Sequence, residues 1–120
     1  MTCAQTYAWI FYAVGLAGQK TPATAVEVEQ AADGINHAVP TQREMLESIS
    51  WCVAHGLVEK EGKFLTLTQI GSTIFNEARL GARTISGVWK LLEKRFAKMG
   101  VDDSMEINPR TMKTSGLRCK

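Results

Sequence analysis

The chain has 120 residues and a mass of 13.2 kDa, 45% apolar and 22% charged, which is enough to bury one core and too little for two domains or a repeat array. With 14 basic against 12 acidic residues and a net charge of +2, the composition as a whole is not that of a polyanion-binding protein. The charge is uneven, however: residues 1–78 hold four basic and eight acidic groups, and residues 79–120 hold ten basic and four acidic, so positive charge belongs to the C-terminal part.

The first apolar run, 7–18, has Tyr7, Ile10, Phe11 and Val14 at helical spacing, with Trp9, Tyr12 and Leu16 on other sides. No basic residue precedes it, and it falls short of the roughly 20 residues that cross a bilayer. It reads as a buried helix of a cytoplasmic protein that must be covered on several sides; a cleaved signal peptide is the competing reading. The helix is expected to stop near Ala17, and Lys20-Thr21-Pro22 forms a break in which Thr21 can cap and Pro22 can sit in a first turn.

A second helix is signalled by Thr24-Ala25-Val26-Glu27, a capping-box pattern followed by Val28, Ala31, Ala32 and Ile35 on one face, with Gly34 marking its end. The stretch Asn36-His37-Ala38-Val39-Pro40 is a turn, because the residue before a proline is pushed away from helical angles. Thr41-Gln42-Arg43-Glu44 repeats the capping-box pattern and opens a third helix over 42–55. Its expected core face is Met45, Ile49, Cys52 and Val53 with Leu46 flanking, and Gly56 supplies the stop.

Leu57 and Val58 begin an extended segment, Glu61-Gly62 is a plausible turn, and Phe64, Leu65 and Leu67 return, so a short hairpin is expected. Thr68 caps a fourth helix with Ile70, Ile74, Phe75 and Ala78 on one face, interrupted at Leu80-Gly81. A fifth begins near Thr84 and carries Ile85, Val88, Trp89, Leu92, Phe96 and Met99 at three- and four-residue steps. Residues 101–120 have few large apolar side chains, a proline and scattered Lys, Arg, Ser and Thr, and read as a basic flexible tail.

The order helix, helix, turn, helix, hairpin, helix is that of a winged helix-turn-helix. The span from Trp51 through His55-Gly56-Leu57-Val58, the short hairpin and Leu67-Thr68-Gln69-Ile70-Gly71 resembles MarR-like bacterial transcriptional regulators, with residues 40–75 carrying most of the likeness and 5–39 less of it. The fold class expected is therefore mainly α with a small β-hairpin. A winged helix-turn-helix would occupy 1–82, an added C-terminal helix 83–100 and the tail 101–120.

The resemblance implies a DNA-binding protein, a dimeric prokaryotic transcriptional regulator whose third helix enters the major groove of double-stranded DNA. The groups it would present are Thr41, Gln42, Arg43 and Ser48, flanked by Glu44 and Glu47, with Lys60 and Lys63 of the wing on phosphates. Two readings of Arg43 stay open, contact with DNA or an i,i+4 ion pair with Glu47, and the wing lysines are either phosphate contacts or a solvated hairpin surface. The acidic residues of the second and third helices, Glu27, Glu29, Asp33, Glu44 and Glu47, support an alternative: a winged-helix protein-interaction module that docks a basic partner and binds no DNA. The stripe Ile85, Val88, Trp89, Leu92, Phe96 and Met99 is either a homodimer seam, which is the reading preferred here, or part of the core.

Lys90, Lys94 and Lys98 lie four apart, as in a solvent-facing stripe. Cys3, Cys52 and Cys119 are an odd number, far apart, with no histidine cluster beside them, which argues against a disulfide framework or a zinc site. His37 and His55 form no metal motif. No phosphate-binding glycine loop, His-Glu-x-x-His or nucleophile elbow is present, so neither an enzyme nor a cofactor is expected.

Overall fold

Each of the five helices in the structure begins at a threonine, Thr2, Thr24, Thr41, Thr68 and Thr84, whose hydroxyl accepts from the backbone amide three residues on. At Thr2, Thr24 and Thr41 the Gln or Glu at that position reaches back to the capping residue's own amide and completes the box. Each cap satisfies a donor the helix cannot satisfy itself and contributes about 1 kcal/mol.

The computed structural model describes residues 1–100. Its elements are α1 (Cys3–Ala17), β1 (Ala23–Thr24), α2 (Ala25–Asn36), α3 (Gln42–Ala54), β2 (Val58–Glu61), β3 (Phe64–Leu67), α4 (Gln69–Gly81) and α5 (Ile85–Lys98). The architecture is mainly helical with one small antiparallel sheet in the order β1-β3-β2. The expected tail lies outside the described residues, as does Cys119.

α1 is the axis of the core. From Cys3 to Gly15 every residue except Gln5 is buried, because α2, α3, α4, α5 and the sheet all lie against it. Two indoles tie it in place: Trp9 Nε1 donates to the Ala32 carbonyl of α2 at 2.8 Å, and Trp89 Nε1 of α5 donates to the Gln5 carbonyl at 2.8 Å. The Phe11 ring meets Phe96 edge-on at 5.2 Å, and Trp51 of α3 stacks on Tyr7 at 5.2 Å. Each large side chain buried this way contributes about 1.5–3 kcal/mol of transfer free energy. Among the described residues no helix is long and apolar enough to cross a membrane.

Several expectations are corrected by the chain path. Thr21 and Pro22 do not start a helix; they lead into β1, whose two residues pair with β3 as Ala23↔Leu65 and Thr24↔Phe64. A two-residue strand is too short to show a period-2 pattern, so the third strand was invisible in the sequence. α2 runs through Gly34 to Asn36 and ends on His37 in the left-handed conformation at φ 55°. The hairpin is the expected one, but its loop is Gly62-Lys63, one residue later, since Glu61 already pairs with Phe64.

The junction between the hairpin and α4 explains the Leu-Thr-x-x-Gly sequence. Thr68 donates its hydroxyl to the Gly56 carbonyl at 2.6 Å and its amide to the Leu57 carbonyl at 3.0 Å. Gly71 then passes so close to Leu57 that a Cβ there would overlap the Leu57 carbonyl oxygen. Glycine is required by approach, not by backbone angle.

α5 belongs to this same core. Val88, Leu92 and Phe96 are buried against the rest of the chain, Trp89 and Met99 are half-buried, and Ile85 alone of the expected six-residue seam is exposed. The stripe thus lies over α1 within the chain, the core reading of the two given for it. Its hydrophobic face had a partner within the chain that periodicity alone does not reveal.

Candidate functional site

The wheel of α3 sets two surfaces. Met45, Ser48 and Cys52 are buried with Glu47, whereas Leu46, Ser50, Val53 and Ala54 are exposed and Ile49 lies between. The buried arc is turned by roughly a quarter of a turn from the arc on which the apolar residues are centred. Leu46, 59% exposed, and Val53, 42% exposed, are thus displayed rather than packed as the sequence reading expected.

The hairpin completes this surface. Lys60 lies directly across from Leu65 on the same face of the sheet, and by strand alternation Glu59 and Glu61 fall on the other face, with Phe64. The inward face of the hairpin, α3 and the start of α2 enclose an open groove of about 750 Å³. Its floor is Leu46, Ile49 and Val53, its walls include Val26 and Leu65, and the ionisable groups along it are Lys60 and Lys63. The Lys63 ammonium lies 5.6 Å from the centre of the Phe64 ring.

The residues expected to touch DNA are dispersed. Thr41 and Gln42 are exposed at the start of α3, with the Thr41 hydroxyl engaged by the Glu44 amide at 3.0 Å. Arg43 takes the ion-pair alternative: its Nε donates to Glu47 Oε2 at 2.7 Å, and its Nη2 is buried without a hydrogen-bond partner. Ser48 is fully buried and its hydroxyl has no hydrogen-bond partner. The expectation that Ser48 faces a nucleic-acid groove is corrected by the rotation of α3. Lys60 and Lys63 are exposed and share the groove, which Thr41, Gln42 and Arg43 do not line.

The surrounding charge is negative. Residues 24–67 carry seven carboxylates and three basic side chains. The basic groups Arg79, Arg83, Lys90, Lys94, Arg95 and Lys98 are exposed on α4, α5 and their connection, where Arg95 pairs with Glu77 at 3.0 Å.

A second, smaller cavity of about 340 Å³ is polar and lies between the end of α1, β3 and α4, lined by Gln19, Thr66, Ser72, Asn76 and Arg79. The Arg79 guanidinium sits 5.2 Å over the Phe75 ring. Burial pushes the Tyr12 hydroxyl above the ordinary phenol range, and the positive charge of Arg79 opposes that shift.

For covalent or metal chemistry the described residues offer little. Cys52 is wholly buried and desolvation pushes its thiol far up, away from the thiolate that nucleophilic chemistry needs. Among the described residues no group of three or more His, Cys, Asp and Glu is placed to hold a metal ion.

The sequence reading missed the groove, although one signal was available. Met45, Leu46, Ile49, Trp51, Cys52 and Val53 are more apolar positions than one face of a 13-residue helix can bury, so some had to be displayed. Compared with protein-family models, curated proteins and solved structures, the chain finds no match.

Proposed function

We propose that the chain is a winged-helix-type module that works by docking a protein on the face formed by α3 and the β2–β3 hairpin, and that this face does not read duplex DNA. The element order α1-β1-α2-α3-β2-β3, with the hairpin laid beside α3, supports the winged-helix reading. The observation that carries the functional reading is the apolar outward face of α3, with Leu46 and Val53 displayed toward the hairpin.

The physical argument is one of complementarity. Base edges in a major groove present donors, acceptors and one methyl group, and a helix that reads them offers polar side chains along its exposed face. Here that face offers Leu46, Ile49 and Val53, and Arg43 is already paired with Glu47. A duplex spans more than the groove and its phosphates demand cations across that width, whereas residues 24–67 hold a carboxylate excess outside the groove that Lys60 and Lys63 line. A displayed apolar floor with a lysine rim is the composition of a protein-docking surface, where a desolvated centre supplies affinity and charged margins supply selectivity.

A dimeric DNA-binding regulator is the second reading. It is favoured by the exposed Thr41 and Gln42 at the start of α3, by Lys60 and Lys63, and by the basic side chains of α4 and α5. Fluorescence anisotropy of a random duplex against the full chain, repeated at several salt concentrations, separates the two. The docking reading predicts no binding that depends on α3 or the hairpin. Micromolar binding with a steep negative salt slope, lost when Gln42 and Lys63 are both replaced by alanine, establishes the DNA reading instead.

A further inference from the structure

Building on the docking reading above, we propose that the groove between α3 and the β2–β3 hairpin receives one face of an amphipathic helix from a partner protein, and that this helix carries carboxylates along the flank that meets Lys60 and Lys63. The shape of the groove argues for an extended occupant. A small ligand is normally covered over most of its surface by an enclosed pocket, whereas this groove is open and its floor residues Leu46 and Val53 stay half-exposed. The floor runs from Met45 to Ala54, about 14 Å of helix axis, which matches anchors at i, i+3 or i+4, and i+7 on an occupant.

The backbone chemistry selects a helix over a strand. The walls of the groove are the side-chain face of the sheet, where Lys60 and Leu65 stand together, and the side chains of α3, whose own backbone is internally bonded. The unpaired backbone of the sheet lies along the outer edges of β1 and β2 and not on its side-chain face, so a strand laid across the groove floor would bury its own polar backbone without partners. A helix arrives with those groups already satisfied.

The charge of the groove selects the flank. Lys60 and Lys63 are the ionisable residues lining it, and neither forms an ion pair among the described residues. Glu59 and Glu61 fall on the opposite face of the hairpin, with the Phe64 ring over which the Lys63 ammonium lies, so Lys60, directly across from Leu65, is the cation set squarely on the groove side. A carboxylate on the incoming helix therefore meets an uncompensated ammonium at the edge of an apolar surface, where water is partly excluded and the attraction is stronger than in open solvent.

The test titrates the full-length ¹⁵N-labelled chain with a designed helical peptide of about four turns, with leucines at i, i+4 and i+7 and glutamates along one flank, and with a second peptide in which lysines replace the glutamates. The proposal predicts that the glutamate peptide binds at least tenfold tighter, shifts the amides of 46–54 and 60–65, and loses its advantage on the double variant Lys60→Glu/Lys63→Glu, which then prefers the lysine peptide. Equal binding of the two peptides in the groove overturns the acidic flank and leaves the docking reading standing. No binding by either peptide, together with duplex DNA shifting the same amides, overturns both. Self-association in sedimentation that is abolished by Leu46→Glu overturns the proposal in favour of a second copy of this chain. Amide shifts at 46–54 on removal of residues 101–120 overturn it in favour of the chain's own C-terminal segment.

Discussion

Helices α3 and α5 are nearly equal in length, 13 and 14 residues, and both lie against α1, yet they differ in what they bury. α5 presses Val88, Leu92 and Phe96 into the core and leaves Lys90, Lys94 and Lys98 in solvent. α3 turns inward a face that includes Ser48 and the carboxylate of Glu47, and leaves Leu46 and Val53 outside. α5 also leaves Ile85 and Leu91 partly in solvent, but it buries no polar side chain. In α3 polar groups are buried while apolar ones are displayed, an arrangement that costs stability and that the proposed docking would account for.

The contrast can be broken at several points, and the largest expected effect is on the α5 side. Phe96→Ala removes a ring packed on Phe11 and 4.8 Å from Trp51, and is expected to destabilise the chain by about 3–5 kcal/mol in chemical denaturation. Because those partners belong to the same chain, the loss should not depend on protein concentration. A strong concentration dependence would return the stripe to an interface between chains.

Gly71→Ala comes next, with an expected loss of about 2–3 kcal/mol, since the new methyl must displace the Leu57 carbonyl that anchors the hairpin to α4. A neutral result would mean that this junction is looser than its geometry. Ser48→Ala should act in the other direction and stabilise by about 1 kcal/mol, because it deletes a buried hydroxyl that has no hydrogen-bond partner. Thermal melts of the two variants side by side check both signs.

The smallest effects sharpen the comparison most. Leu46→Glu and Val53→Glu on the displayed face should each change stability by no more than about 0.5 kcal/mol. If Leu46→Glu were as damaging as a core substitution, the outward face of α3 would be part of the fold and not a surface reserved for a partner.

The helices were legible because their signals are local. Capping at Thr24, Thr41 and Thr68, the Gly56 stop at φ 71° and the three- and four-residue stripe of α5 all lie within a turn or two of the sequence they control. What was not legible depended on distant partners. β1 exists because β3 accepts it, and the α5 stripe is core because α1 lies underneath. The rotation of α3 had the same origin: Trp51 is drawn toward Tyr7 and Phe96, which turns Ser48 inward and Leu46 outward. Of the candidate site, the sequence showed the two hairpin lysines, and outside it the Arg43–Glu47 pair. The apolar floor beside the lysines depends on that rotation.

Under the proposed function the face of α3 beside the hairpin docks protein and does not read DNA. Amide shift mapping of the ¹⁵N-labelled full chain, with the glutamate-flanked peptide in one titration and a random duplex at low salt in the other, tests it most directly. A docking face requires that the peptide perturbs Leu46, Ile49, Val53, Lys60 and Lys63 and that the duplex leaves them unmoved. A duplex that shifts these same amides, together with Thr41 and Gln42, while the peptide shifts none, would contradict it.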